Sequence, residues 1–205
     1  MEPRPLPADP LLASALVGRG DSLDERERIA ELDQKRDWDG LLRYAEERQR
    51  RDPEGSDWGV VAAYAWGRNG DYSKAISALS RVIQRNPEDV GAWNLLGESQ
   101  RRAGQPGQAA RTLERASAIG RTSFVTFFFL GEAYRDANRL DRAMSAYREA
   151  ARLEPEFARA WFELGAAYIR LGERDEVPLV LERLRKLDPV LGEELRKRLE
   201  ARLRP

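Results

Sequence analysis

The side chains that most often carry out chemistry in proteins are missing from this sequence. Among 205 residues there is neither His nor Cys, which excludes disulfides, a thiol nucleophile and thiolate metal sites and removes the commonest general base. Asp and Glu remain, but they are spread along the chain as is typical of solvated helix faces, and no Gly-rich phosphate loop occurs. We therefore predict that the protein is not an enzyme and uses no cofactor and no metal.

One short motif could mediate adhesion. Arg19-Gly20-Asp21 spells the tripeptide that integrins recognise, and such a motif would have to lie in an exposed loop. The residues around it favour a simpler interpretation, because Ser22 with Glu25 forms a capping box for a following helix. We predict a helix start at this point and no adhesive function.

The charge balance argues against a polyanionic partner. Lys and Arg together number 35, as do Asp and Glu, so the formal net charge is zero and nucleic acid is not expected to bind. No stretch approaches the roughly 20 apolar residues of a membrane span, which predicts no membrane insertion and a cytoplasmic location. The alternative is export to the periplasm or outside the cell if residues 1–20 act as a signal, although their apolar run, Leu11 to Val17, is short and follows Pro10.

An internal repeat of 34 residues organises most of the chain. Large aromatics recur at this spacing, each followed by Leu and Gly three and four residues later: Trp93, Leu96, Gly97; Phe127, Leu130, Gly131; Trp161, Leu164, Gly165. Each unit has room for two helices of about a dozen residues whose apolar faces are too small to form a core alone, so neighbouring units must stack. Small residues such as Gly131 and Ala143 are expected where paired helices approach closely.

This pattern, a large aromatic, Leu-Gly, Tyr, small residues and a closing Pro, resembles the tetratricopeptide repeat. The resemblance implies an all-α, right-handed superhelical solenoid of stacked antiparallel helix pairs, and a function as a protein-interaction scaffold or adaptor. We predict four segments: a Pro-rich N-terminal segment with a short apolar helix (residues 1–21), a degenerate capping repeat (22–55), four tetratricopeptide repeats (56–189) and a C-terminal capping helix (190–205).

Local signals add detail to these segments. The run from Phe124 to Leu130 has the composition of a buried strand, but it lies in register with the other Leu-Gly copies, so we predict a helix. Asn69-Gly70 should form a left-handed turn after one helix, and Asp71 should cap the next. Pro178 is compatible only with the first turn of its helix.

The short N-terminal helix has signals at both ends but no repeat partner. Asp9 is a suitable N-cap and Pro10 a suitable first residue, and Gly18 and Gly20 follow the apolar run. We predict that Leu11, Leu12 and Leu16 pack on the array itself, on the first repeats or inside the concave face.

The resemblance also implies where a partner binds, since the first helices of such repeats line the concave face. The residues placed there are predicted to contact a peptide: Val60, Val61, Tyr64, Leu95, Glu98, Arg101, Arg102, Phe128, Phe129, Glu132, Arg135 and Phe162. Phe128 and Phe129 are the predicted anchors, on the open face of the central repeat. Phe127, like Trp93 and Trp161, is expected to pack between helices.

The chemistry of this predicted face selects among partners. One subclass of the family clamps the carboxylate of chaperone tails with Lys, Asn and Arg, but the corresponding residues here are apolar or aromatic: Val60, Tyr64, Leu95, Val125 and Phe129. An apolar or amphipathic peptide segment of a partner protein is predicted instead. The alternative is a constitutive structural subunit of a larger multiprotein assembly. The sequence leaves the oligomeric state open, with a monomer as the working expectation.

Overall fold

The computed structural model describes residues 9–16, 23–51, 58–119 and 123–203, and within these ranges all regular structure is helical, with no β-strand. The Arg19-Gly20-Asp21 tripeptide and the capping Ser22 lie outside the described residues. The chain divides into two compact units, Met1–Gly120 (unit 1) and Arg121–Pro205 (unit 2).

Unit 1 is built from a short N-terminal helix followed by three helix pairs. The helices are α1 (Pro10–Ala15), α2 (Leu23–Gln34), α3 (Trp38–Arg51), α4 (Gly59–Asn69), α5 (Tyr72–Arg85), α6 (Val90–Arg102) and α7 (Pro106–Ile119). From α2 to α7 each helix packs on the next along the chain, so the pairs stack as predicted. The core lies between consecutive helices and includes Leu41, Leu79 and Leu113, all fully buried.

Unit 2 contains two helix pairs and a closing helix. They are α8 (Phe124–Asp136), α9 (Leu140–Leu153), α10 (Ala158–Leu171), α11 (Val177–Leu187) and α12 (Pro189–Leu203), with a 3₁₀ turn at Arg174–Glu176 before α11. Helix α12 packs against both α10 and α11, and Leu195 on α12 is fully buried. The Phe-rich run forms the start of α8, as the period predicted, because good helix formers and the repeat register outweigh its strand-like composition.

The backbone repeats the 34-residue period in every helix pair. The turn inside each pair holds one residue with positive φ: Arg36 (55°), Gly70 (88°), Gly104 (77°), Asn138 (56°) and Gly172 (86°), each 34 residues after the last. A left-handed residue ends the first helix and frees the chain to reverse direction. The first pair, α2 and α3, has lost the repeat's large residues but shares this turn with the other four.

Small residues allow the paired helices to approach closely, as predicted. A Cβ added at Gly97 on α6 would lie 2.5 Å from the side chain of Leu113 on α7, and one at Gly131 on α8 would lie 2.6 Å from the ring of Tyr147 on α9. Leu113 and Tyr147 are themselves one period apart. The Leu-Gly signature therefore marks the contact between the two helices of a pair.

Two local predictions are confirmed and one is wrong. Gly70 is left-handed, as predicted for Asn69-Gly70, and Pro178 is the second residue of α11. Asp71 precedes α5 but its side chain makes no capping hydrogen bond; its Oδ2 instead accepts from Nζ of Lys74 at 3.0 Å. An ion pair within the first turn has taken the carboxylate that would have capped the helix.

Candidate functional site

The short N-terminal helix lies on the first helices of two neighbouring pairs. Helix α1 packs mainly on α6 and also on α4, both in unit 1. Leu12 is 0% exposed, and Leu11 and Leu16 are buried as well. The prediction that these leucines pack on the array is confirmed. The surface formed by α4 and α6 is therefore covered in part by a helix of the same chain.

A polar contact holds the start of α1 in place. Oδ1 of Asp9 accepts a hydrogen bond from the backbone N–H of Leu11 at 2.9 Å and so caps the helix. Oδ2 of Asp9 accepts from Nη1 of Arg68 at 3.2 Å and lies 3.2 Å from the hydroxyl oxygen of Tyr64. Tyr64 and Arg68 are one turn apart on α4, so the Asp9 carboxylate lies beside both, and Arg68 supplies the ion pair.

Tyr64 and Arg68 are themselves fixed by their neighbours. The hydroxyl of Tyr64 carries a single proton and donates it to Oδ1 of Asp33 at 2.7 Å, the shorter of its two carboxylate contacts. The guanidinium of Arg68 lies 4.9 Å from the centre of the Trp38 ring. Burial and the nearby Asp9 carboxylate raise the pKa of the Tyr64 hydroxyl, so it stays protonated and remains a donor. The contact with Asp9 is thus preorganised by residues of α2, α3 and α4.

A cavity of about 400 Å³ adjoins α1. It is lined by Leu11 of α1, by residues of α4 and α6, and by residues near the starts of α3 and α5: Arg36, Trp38, Ala63, Tyr64, Gly67, Arg68, Tyr72, Leu95, Glu98, Ser99 and Arg102. We call the side of α4 and α6 that carries Tyr64, Arg68, Leu95 and Glu98 the α4/α6 face. Helix α1 covers one part of this face and leaves the cavity beside it.

Most of the site residues predicted in unit 1 gather on this face. Tyr64, Leu95, Glu98 and Arg102 line the cavity. Arg101 and Arg102 both donate to the carboxylate of Glu98, at 2.7–2.8 Å, which leaves this acid neutralised. Val60 and Val61 are fully buried and do not line the cavity, so the structure assigns them to packing. An open groove was predicted here, and α1 covers part of it, which is one of the two positions predicted for its leucines.

In unit 2 the predicted orientation of the phenylalanines is wrong. Phe128 and Phe129 are only 4% and 9% exposed, whereas Phe127 is half-buried. The ring of Phe128 contacts those of Phe129, Tyr147 and Phe157 at centroid distances of 5.4, 6.0 and 5.1 Å. Trp93 is buried as predicted, but Trp161 is half-buried. The Phe128 side chain, which was expected to face a partner, therefore packs against aromatic rings of α9 and of the residue before α10. A role of Phe128 and Phe129 in binding stays a prediction.

The other predicted residues of unit 2 form a buried charged network and an aromatic contact. Glu132 accepts from the Tyr147 hydroxyl at 2.7 Å and from Arg135 at 2.6 Å, and Arg135 reaches Glu163 at 3.1 Å. Burial and the neighbouring Glu132 raise the pKa of Glu163 above its ordinary value. Phe162 is buried beneath the guanidinium of Arg198, 4.6 Å from its ring centre. Arg135 is thus paired with carboxylates of its own unit.

Sequence analysis missed the contributions of Trp38 and Tyr72 to the site. Each begins the second helix of its pair and lines the cavity, and they lie one period apart. An aromatic that recurs at the start of a second helix was therefore an available signal.

Within the described ranges, no group of three or more His, Cys, Asp or Glu side chains could hold a metal ion. In the same ranges the longest helix, α12, has 15 residues, and none is long and apolar enough to cross a bilayer. The arrangement on the α4/α6 face is one of apolar contact, aromatic rings and a carboxylate receptor.

Two family profiles match the chain in the regions that form the helix pairs. A profile described as "Tetratricopeptide repeat" matches residues 61–123, and one described as "TPR repeat" matches residues 131–172. The matches fall in unit 1 and in unit 2 respectively, apart from the last few residues of the first one.

Curated proteins of known name also resemble the chain. "Tetratricopeptide repeat protein 36" of Bos taurus is 34% identical over 119 residues, which are 56% of this chain and 61% of that protein. "Protein O-mannosyl-transferase TMTC1" of Mus musculus is 29% identical over 143 residues, which are 65% of this chain and 15% of that protein. The chain therefore spans less than two thirds of either relative.

A solved structure shows the same fold. The crystal structure of TTC0263, described as a thermophilic TPR protein in Thermus thermophilus, superposes with a TM-score of 0.68. The match covers 86% of this chain and 96% of that one at 19% sequence identity. Stacked helix pairs of this kind are thus an architecture already seen by crystallography.

Proposed function

The chain belongs to the tetratricopeptide repeat family, whose members serve as protein-interaction scaffolds, and from that premise we propose that it binds a short apolar or amphipathic helical segment of a partner protein on the α4/α6 face. One observation supports this proposal above all others. The six-residue helix α1 already lies on that face, and its two leucines and the following Leu16 are buried. A surface that accepts this helix from its own chain has the shape and chemistry to accept a similar one.

The contacts on the face divide the recognition into two parts. Leu95 and the rings of Trp38, Tyr64 and Tyr72 offer apolar area, where a buried leucine or aromatic contributes roughly 1.5 to 3 kcal/mol. Arg68 binds a carboxylate at one end, beside the Tyr64 hydroxyl, as it binds that of Asp9. Apolar side chains would supply most of the affinity, and the carboxylate would set the direction of the bound segment.

The residues of α8 and α10 that were predicted to contact a peptide are given only a secondary role in this proposal. Phe128, Phe129 and Phe162 are buried by their own unit's aromatic and cationic side chains, so a partner would meet them only after a rearrangement. We place the principal binding surface in unit 1 for this reason. We also propose that the chain acts without catalysis; the relative named as a transferase is about seven times longer than the region it shares with this chain.

Peptide selection followed by nuclear magnetic resonance tests the proposal. Twelve-residue peptides are selected from a random phage-displayed library on the immobilised full chain and then titrated into the ¹⁵N-labelled chain. We expect enriched peptides with at least two large apolar side chains, and shift changes in the amides of α4 and α6. Selected peptides that shift only amides elsewhere would refute the assignment of the face. Sedimentation of the purified chain separates this function from that of a constitutive subunit, which should not be monodisperse and monomeric alone.

A further inference from the structure

We propose that α1 is an internal competitor, and that the partner is a segment of the same type: an acidic residue followed after one position by two adjacent leucines, with a third leucine four residues later. In this chain those residues are Asp9, Leu11, Leu12 and Leu16. This inference rests on the proposed function and adds to it the chemistry of the partner and the element that regulates its access.

Helix α1 is too short to be stable by itself. It has six residues, whereas isolated helices shorter than about 12 to 15 residues are marginal in water. Its helical state therefore depends on the burial of Leu11, Leu12 and Leu16 and on the contacts of Asp9. Undocking and melting of α1 are one event, which gives the segment two states: docked and helical, or released.

The covalent connection favours the docked state. Residues 17–22 join α1 to α2, so the segment cannot diffuse away from the face. A short connection of this kind corresponds to an effective concentration in roughly the millimolar range. An external segment with the same contacts is bound only by the fraction of molecules whose face is free, and its apparent affinity falls by that fraction.

A partner can displace α1 because α1 does not use the whole face. The cavity beside Leu11, about 400 Å³, is within the range of sizes that hold a ligand, and its lining includes Trp38, Leu95 and Arg102. A partner segment with an additional aromatic or polar side chain at this point would gain contacts with Trp38 and Arg102 that α1 lacks. Its acidic residue would take the place of Asp9 between Tyr64 and Arg68.

The test uses a fluorescein-labelled peptide with the sequence of residues 8–17 and the full-length chain with or without the substitution Leu12→Asp. This change puts a charge where a fully buried leucine packs, and so releases α1 without altering α4 or α6. We expect the variant to bind the peptide at least about tenfold more tightly than the wild-type chain does. Leu179→Asp is the matched control, since Leu179 is 63% exposed on α11 in unit 2, and this variant should bind as the wild-type chain does.

A second variant guards against misfolding. Asp9→Lys removes the cap and places a cation beside Arg68 without touching the buried leucines, and it should also raise the affinity for the peptide. Circular dichroism melting of each variant shows whether the helix pairs remain folded.

The outcomes separate the inference from the proposed function. Equal peptide affinity in the wild-type chain and in both folded variants would overturn the inference, because α1 would not compete. If the peptide binds no chain while library peptides still shift amides of α4 and α6, the inference fails and the proposed function stands. If neither the peptide of residues 8–17 nor any library peptide binds any of the chains, the inference and the proposed function are both wrong. If the wild-type chain dimerises and Leu12→Asp abolishes the dimer, the α4/α6 face binds α1 of a second copy. This result would also overturn the inference.

Discussion

The hydroxyl of Tyr64 lies 3.2 Å from Oδ2 of Asp9, although 55 residues separate the two in the sequence. This contact joins the cap of α1 to the middle of α4. It places a segment outside the repeats on the surface where the repeats would meet a partner. The stability of α1 and the availability of the α4/α6 face are therefore coupled, and the Tyr64 hydroxyl is one of the contacts that couple them.

We expect Tyr64→Phe to loosen α1. The change removes the donor to Asp33 and the hydroxyl oxygen beside Asp9, and the loss of a hydrogen bond to a carboxylate should lower the free energy of unfolding by about 1.5 to 3 kcal/mol. Hydrogen exchange at residues 10–16 should accelerate. Tyr168→Phe is the control, because that hydroxyl accepts from Arg148 in unit 2 and its loss should leave exchange in α1 unchanged. Unchanged exchange in both variants would mean that the hydroxyl does not hold α1.

Gly131→Ala should destabilise unit 2 because the new methyl group would lie 2.6 Å from the Tyr147 ring, which is fully buried. Overpacking of this kind costs about 1 to 3 kcal/mol, measured by urea unfolding. Gly107→Ala meets no atom within 4 Å and should instead stabilise the chain, since alanine favours a helix over glycine; because Gly107 is the second residue of α7, the gain should stay below about 1 kcal/mol, the value for a helix interior. A gain in stability for both variants would show that the close approach of α8 and α9 is not required.

Phe128→Ala should cost more stability than Phe127→Ala. Phe128 is buried among three aromatic rings, so its truncation should cost about 3 to 5 kcal/mol, whereas half-buried Phe127 should cost less. Chemical denaturation of both variants measures the difference. A larger loss of stability for Phe127→Ala than for Phe128→Ala would support the orientation predicted from the repeat register, with Phe127 in the core.

The stability contributed by Glu163 should fall as pH rises. Burial and Glu132 raise the pKa of Glu163 in the folded chain, so stability is lost as the pH rises from the ordinary pKa through the raised one, and the charged form opposes folding at higher pH. Glu163→Gln, which keeps an oxygen to accept from Arg135, should be more stable than the wild-type chain at pH 7. That advantage should vanish below about pH 4, where both the folded and the unfolded wild-type chains carry a protonated Glu163.

Glu149→Gln provides a control of opposite sign. A hydrogen bond from Arg152 lowers the pKa of Glu149, so its charge supports folding above the ordinary pKa and this support is lost as the pH falls. The variant should be slightly less stable than the wild-type chain at pH 7, by under about 1 kcal/mol because the pair lies at the surface. Thermal melting between pH 3 and pH 8 measures both differences, and parallel curves for the two variants would contradict the assignment for Glu163.

Local pattern was sufficient to predict the repeats. The 34-residue period predicts the helix pairs, the left-handed turn at Gly70 and the helical state of the Phe124–Leu130 run, because each depends on residues within one pair. The close contact at Gly131 follows for the same reason, since its partner Tyr147 lies only 16 residues away. Such features repeat along the chain, and each copy supports the assignment of the others.

Tertiary structure alone decided which surfaces remain open. Burial of Phe128 in preference to Phe127 depends on the rings of Tyr147 and Phe157, which belong to other elements. Sequence signals showed that α1 was a capped apolar helix in need of a surface, but not that Asp9 would meet Tyr64 and Arg68. That choice is made by the shape and charge that α4 and α6 present together, and these exist only once the pairs have stacked.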